Sequence, residues 1–467
     1  MKDKLFPTAG GLIVCAAVLL FLFAGSAAAT VDGITGPTFN LTARVDDVNF
    51  STADGGSPLL WGYADTSTNP DNLPQYPGPT LIVNQGDPVT VQLTNDLSVI
   101  AGTVPNVSIV FPGQVVTVSG TDPGVPGLLT NEAEPGGTVT YTFTATNPGT
   151  YMYHSGTRPE LQVEMGLLGA LIVRPALGAN FAYNRPDTQF EREYLFLLSS
   201  MDPRIHDAVE FFGPDSVRLT GSDYLSDYFS NYWFINGRTA PDNMDVAGTA
   251  LLKTQPYNIM PRMHPGERML MRVIGGNRDM HPFHHHGNHA RIIARDGRLL
   301  ESATGVDLSF EVFTINSVPG ETVDAIFTWT GKGLNWDIYG AQNDPQFPDT
   351  PPHDCIDLVD NETGVAPPDG YGDPGTDTQW EYCADHDKPL PTLLPQNQDL
   401  AFGGWYSGSP FLGNAGSLPP GEGGLNPNGG FSYMWHSHTE KELTNYDIFP
   451  GGMLTMLIIE SWGVPIP

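Results

Sequence analysis

Over residues 38–174 apolar and polar residues alternate in short runs broken by turn residues. Val89-Thr90-Val91-Gln92-Leu93-Thr94 alternates cleanly, and Val139, Tyr141 and Phe143 share one face of the run 138–145. Regular short strands between turns predict a β-sandwich with Greek-key connections over residues 36–175. Residues 176–191 read as a linker. A second unit, 192–462, opens on the apolar run 193–199 and continues with strands near 232–235, 268–274, 290–294, 313–316, 322–329 and 453–459. Mixed periodicity over 205–228 predicts a short helix. Residues 343–428 are dense in Pro, Gly and Asp and form a long irregular insertion in the second unit. The predicted class is all-β, with two sandwiches in tandem.

The two units echo each other. Thr150-Tyr151-Met152-Tyr153-His154-Ser155 corresponds to Ser432-Tyr433-Met434-Trp435-His436-Ser437. Each segment leads through a loop to a Met-containing apolar strand, the pattern of an internal duplication.

Composition adjusts this picture in three places. With 467 residues the chain can hold two or three full cores. Its 53 glycines and 42 prolines suit a turn-rich β protein. Acidic residues outnumber basic ones 52 to 21, a net charge of −31 that argues against nucleic acid and anionic membranes as partners. At the N-terminus Lys2 and Lys4 precede an apolar run, and Ala27-Ala28-Ala29 offers a small-residue cleavage site. Residues 1–29 are therefore expected to be a secretory signal, too short to favour spanning a bilayer. Cys15 lies in that run, and Val14 before it argues against lipidation. The mature chain is expected to have no membrane span and to be exported, to a periplasm, a cell surface or the exterior. Export favours a disulfide between the two remaining cysteines, Cys355 and Cys383.

Candidate chemistry gathers in residues 280–289, which hold His281, His284, His285, His286 and His289, five of the 12 histidines. On a strand, residues two apart share a face, so His284 and His286 point one way and His285 the other. His436 and His438 repeat the spacing at the end of an aromatic strand. Imidazole pairs so placed suit copper, zinc, iron or nickel. A lone His154 after aromatic residues also fits a hydrogen-bonded core histidine. Asp369, Asp373 and Asp377 are spaced too widely for a calcium loop.

These motifs together resemble the multicopper oxidases, the cupredoxin-fold family that includes laccases and two-domain laccase-like enzymes. His281-Pro282-Phe283-His284-His285-His286-Gly287 resembles the family's His-Pro-x-His-x-His-Gly motif. Tyr153-His154-Ser155 resembles its Tyr-His-Ser-His motif, and His436-Ser437-His438 its His-Cys-His motif. Tyr76-Pro77-Gly78-Pro79-Thr80 and Ile235-Asn236-Gly237-Arg238 are similar to framework segments of the family. The resemblance implies tandem cupredoxin domains and copper held by His154, His281, His284, His286, His436 and His438. It also implies O2 or another small oxidant as acceptor and a small molecule or metal ion as substrate. Two-domain relatives complete copper sites between subunits, so a homotrimer is compatible with it.

The departures shape the expected function. Residues 107–114 carry no histidine where the family has His-x-His-Gly, and Gly156 replaces the second histidine of Tyr-His-Ser-His. Ser437 stands where an electron-entry cysteine belongs, and a serine hydroxyl cannot supply the thiolate of a blue-copper site. Glu440, Glu442 and Asp447 occupy the loop of a further histidine ligand. Met453 comes too late for an axial ligand and is expected in the core. The leading expectation is an exported copper-binding oxidoreductase without a thiolate copper. The alternative is a non-catalytic copper-binding or cell-surface protein on an oxidase scaffold. A zinc hydrolase using Glu440 or Asp447 as base is the third reading.

Overall fold

In the computed structural model, residues 31–50, 57–67, 72–98, 103–218, 226–264, 266–329 and 431–460 are described, with short pieces at 416–417, 425–426 and 465–466. The expected signal, Cys355, Cys383, His353, His386 and nearly all of the insertion lie outside these residues.

The first unit has two sheets. One runs β2-β1-β4-β6-β5, from β1 (Thr38–Asp47), β2 (Leu59–Asp65), β4 (Pro88–Asn95), β5 (Thr117–Pro123) and β6 (Thr138–Thr144). The other places β8 (Leu168–Arg174) between β3 (Gly78–Asn84) and β7 (Gly149–His154). Strands β1 and β4 pair in parallel, as do β3 and β8, which forces crossover connections in place of tight hairpins. The alternation read in the sequence sets the core. Val89, Val91 and Leu93 of β4 face Tyr141 and Phe143 of β6, Trp61 of β2 and Tyr153 of β7 in one buried cluster.

The second unit repeats the plan. Its larger sheet runs through β10 (Tyr232–Ile235), β9 (Arg192–Met201), β11 (Arg268–Gly275), β15 (Thr322–Thr328) and β13 (Ala290–Arg295), with β9 and β11 parallel. Its smaller sheet carries the histidines, in the order β17 (Leu454–Ile459), β16 (Phe431–Ser437), β12 (His281–His285), β14 (Thr314–Ser317). Met269, Met271, Phe327, Phe283, Trp435 and Met453 fill the core between the sheets. The all-β class is thus observed, and Met453 packs as expected. The predicted helix is α1 (Pro203–Phe212), capped by the Asp202 side chain accepting from Arg204 N. It carries His206. Burial on the apolar face of this helix puts His206 in the core, its Nδ1 donating to Leu59 O at 2.6 Å.

The units are joined by an apolar layer and a buried charge network. Leu60, Tyr76, Met152 and Leu168 of the first pack against Leu195, Leu197, Phe234 and Ile274 of the second. Glu193 accepts from both Arg174 and Arg272, and Arg272 also reaches Asp324, which accepts from Thr150 and Tyr183. Burial alone raises the Glu193 carboxyl, but Arg272 and Arg174 outweigh it and hold the group below the ordinary carboxylate range. The Asn236-Gly237 turn explains one framework segment. Both residues have positive φ, 54° and 79°, and a Cβ at Gly237 would lie 1.9 Å from Tyr76 O.

Candidate metal centre

Strand pairing assembles the site. In β12 and β16 His284 lies directly opposite His436, and in β12 and β14 it lies opposite Thr314. Opposed residues on neighbouring strands share a face, so Thr314, His284 and His436 form one row across the sheet. His286, two residues on, falls beside the row. The ring centres of His284 and His286 are 4.7 Å apart, His286 and His436 5.2 Å, and His284 and His436 5.6 Å. One ring nitrogen from each of the three lies within 4.8 Å of the other two. His438 sits at the rim, 5.0 Å from His284 and half-exposed, with Nδ1 3.1 Å from Glu440 Oε1. His285 points the other way, into the core against Trp435 and Phe327, as its parity predicts. His289 packs against Phe313.

The electrostatics favour neutral rings. Burial first, and neighbouring imidazoles second, push His284 down to about 4 and His286 to about 3. His436 is lowered by burial as well. A neutral imidazole keeps a lone pair free for a metal. His436 Nδ1 donates to Ser437 O at 2.7 Å, which leaves its Nε2 for the site, 3.3 Å from His286 Nε2. Two nitrogens sharing one ion through ~2.0–2.1 Å bonds at a tetrahedral angle lie about that far apart. The Nδ1 of His286 is buried without a hydrogen-bond partner. Donor type, spacing and charge all fit an imidazole-bound transition metal.

The other expected ligands lie elsewhere. His281 turns its Nδ1 to Glu442 Oε2, at 2.9 Å, and is fully buried. Ser437 is buried close by, its backbone N donating to Met453 O, while Met453 N donates to Glu442 O. Imidazole, hydroxyl-bearing residue and carboxylate therefore gather where the resemblance implied a thiolate copper. His154 stays with the first unit, in a bridge with Val110, and is not in the three-ring group. Of the six histidines that the resemblance implies as ligands, His284, His286 and His436 gather among the described residues, with His438 at the edge of the group. Physical room explains part of this. A Cβ at Gly156 would lie 2.8 Å from Val110 Cγ1, so a histidine there needs Val110 to move. His154 nevertheless matches His436 in detail, its Nδ1 bonded to the next residue's carbonyl at 2.9 Å.

Two partners escaped the sequence reading. Glu442 was seen as a loop carboxylate but not as the mate of His281. Thr314, 2.9 Å from His284 Nδ1, gave no local signal, because only strand register brings it there.

Residues 73–177 match the multicopper oxidase family model. Over this segment the chain is similar to the multicopper oxidases. A multicopper oxidase of Talaromyces pinophilus is 39% identical over 101 residues, 22% of this chain and 15% of that protein. The copper resistance protein A homolog of Pseudomonas syringae is 25% identical over 331 residues, 65% of this chain and 50% of that one. The chain thus spans half or less of the length of these relatives. Among solved structures, a blue copper oxidase from Nitrosomonas europaea aligns at 18% identity and TM-score 0.49, covering 90% of this chain and 85% of that one. Among the described residues, no helix is long and apolar enough to cross a membrane.

Proposed function

We propose that this multicopper oxidase relative is an exported copper protein, an oxidoreductase that works without a thiolate copper site. One observation carries the reading: His284, His286 and His436 place three ring nitrogens within 4.8 Å of one another, on rings that burial keeps neutral. Copper supplies one-electron redox chemistry when bound there. The chain's own part is to hold the ion through these three rings, to fix His436 through the Ser437 carbonyl, and to leave access at half-exposed His438. The loss of the electron-entry site is supported by Ser437, which offers no thiolate, and by His281 Nδ1, which bonds the Glu442 carboxylate. A small molecule or metal ion then meets the histidine site directly, with O2 as acceptor. The reading includes a signal at residues 1–29, cupredoxin domains at 36–175 and 192–462, and delivery to the periplasm, cell surface or exterior. It also includes a homotrimer, in which His154 has a use that its own chain does not give it.

The test is metal analysis of the purified mature chain expressed with copper, together with optical and electron paramagnetic resonance spectra. Retained copper without an intense thiolate-to-copper band supports the proposal. An intense band, or zinc held after copper exposure, overturns it.

A second reading, non-catalytic copper binding on an oxidase scaffold, is favoured by the first unit: His154 stands outside the three-ring group, and Gly156 offers no ligand atom. Tight copper binding with no turnover of phenols, metal ions or small anions would decide for it.

A further inference from the structure

The three rings of the site are held in three different ways. Nδ1 of His436 bonds a backbone carbonyl, a contact that side-chain substitution leaves in place. Nδ1 of His286 is buried without a hydrogen-bond partner. Among these three rings, only His284 meets a side chain through Nδ1: Thr314 Oγ1, at 2.9 Å.

That contact follows from the sheet. His284 sits between two directly opposed neighbours, Thr314 on β14 and His436 on β16. Opposed Cβ atoms lie ~4.5–5.5 Å apart, close enough for a threonine hydroxyl to reach a ring nitrogen. Phe313, beside Thr314, stands edge-on to the His284 ring at 5.8 Å and 89°, and its backbone also hydrogen-bonds His284. A neutral imidazole carries its proton on either nitrogen, and the hydrogen bond made by one nitrogen decides the state of the other. A hydroxyl acceptor suits this place better than a carboxylate. It engages the N–H without adding charge to a buried pocket whose rings are neutral.

We propose that Thr314 is a positioning residue for the metal centre: its hydroxyl accepts from His284 Nδ1 and so turns the unprotonated Nε2 toward the site. The proposal rests on the copper reading above for its second readout but not for its first. Residues that orient a ligating histidine typically account for 10–100-fold in metal affinity.

The experiment compares the full mature chain with Thr314→Val, which keeps the shape and removes the hydroxyl, and Thr314→Ser, which keeps the hydroxyl. Two quantities are read. Ring ¹⁵N shifts of His284 in the metal-free protein give the tautomer, and competition with a chelator gives the affinity for copper. The expected result is a dominant Nδ1–H tautomer in the parent, a mixture in Thr314→Val, and a return in Thr314→Ser. Copper affinity should fall ~10–100-fold in the valine variant and recover to within a few-fold in the serine variant. A valine variant with the parent's tautomer and affinity overturns the proposal, as does a serine variant no better than valine. If the parent binds no copper but the tautomer still shifts with Thr314→Val, the copper reading falls and the orienting role of Thr314 stands.

Discussion

His281 Nδ1 donates to Glu442 Oε2 at 2.9 Å, with both residues buried in the second unit. Hydrogen bonds to charged groups contribute about 1.5–3 kcal/mol, and a buried imidazole left unpaired costs more than a bond merely exchanged with water. Glu442→Leu, which removes the acceptor, should therefore destabilise the metal-free chain by about 1.5–3 kcal/mol in denaturant unfolding. A change below about 0.5 kcal/mol would show that the pair carries no strength.

The same place can be tested by rebuilding it. A thiolate copper needs a cysteine with two imidazoles, and the chain presents one imidazole, a serine and a carboxylate. The double variant Ser437→Cys, Glu442→His should gain an intense visible band with copper. Ser437→Cys alone should not, because it adds a thiolate beside one imidazole where the site needs two. A strong band in the parent protein refutes the account of this site.

Copper binding should depend unequally on the histidines. His286→Ala and His436→Ala each remove a nitrogen from the three-ring group and should weaken copper retention at least tenfold. His154→Ala should leave the affinity unchanged in a monomer and lower it in a homotrimer that shares His154 between copies, since His154 is outside the group within one chain. Chelator competition measures both. Equal losses in all three variants would mean that the site draws on the first unit.

Acid should weaken the metal-free fold through these rings. Folded, His284 titrates near about 4 and His286 near about 3. Unfolded, both titrate near ~6.5. Between those values the unfolded chain binds more protons, so stability is full above ~6.5 and falls as pH drops toward the folded values. The melting temperature should decline from pH 7 to pH 4.5, and the double variant His284→Gln, His286→Gln should decline less. A parent and double variant of equal slope contradict the assignment.

The junction between the units should be brittle to one substitution. Glu193→Gln leaves Arg174 and Arg272 buried without their shared carboxylate. Removing one partner of a buried ion pair costs about 3–5 kcal/mol, because the remaining charge is uncompensated. Calorimetry or denaturant unfolding should show a loss in that range. A near-neutral result would place solvent in the network.

Much of the architecture could be read from local pattern. The alternation in 89–94 and 138–144 marked two strands of the first core, and the runs at 268–274 and 290–294 marked the strands flanking the histidines. The echo of Tyr153-His154-Ser155 in Trp435-His436-Ser437 extends to the atomic level, where both histidines bond the next carbonyl.

The amino-acid order by itself decided which faces are apolar, where strands stop, and that His284 and His286 point together while His285 points to the opposite face. Those are consequences of a two-residue period and of side-chain chemistry, which act over a few residues. Only the tertiary structure decided that Thr314 and His436 flank His284, that Glu442 holds His281, and that His154 stands apart. Each of these depends on strand order and register between distant segments. A shift of one residue in any pairing turns a side chain to the opposite face, so no local pattern can encode the outcome.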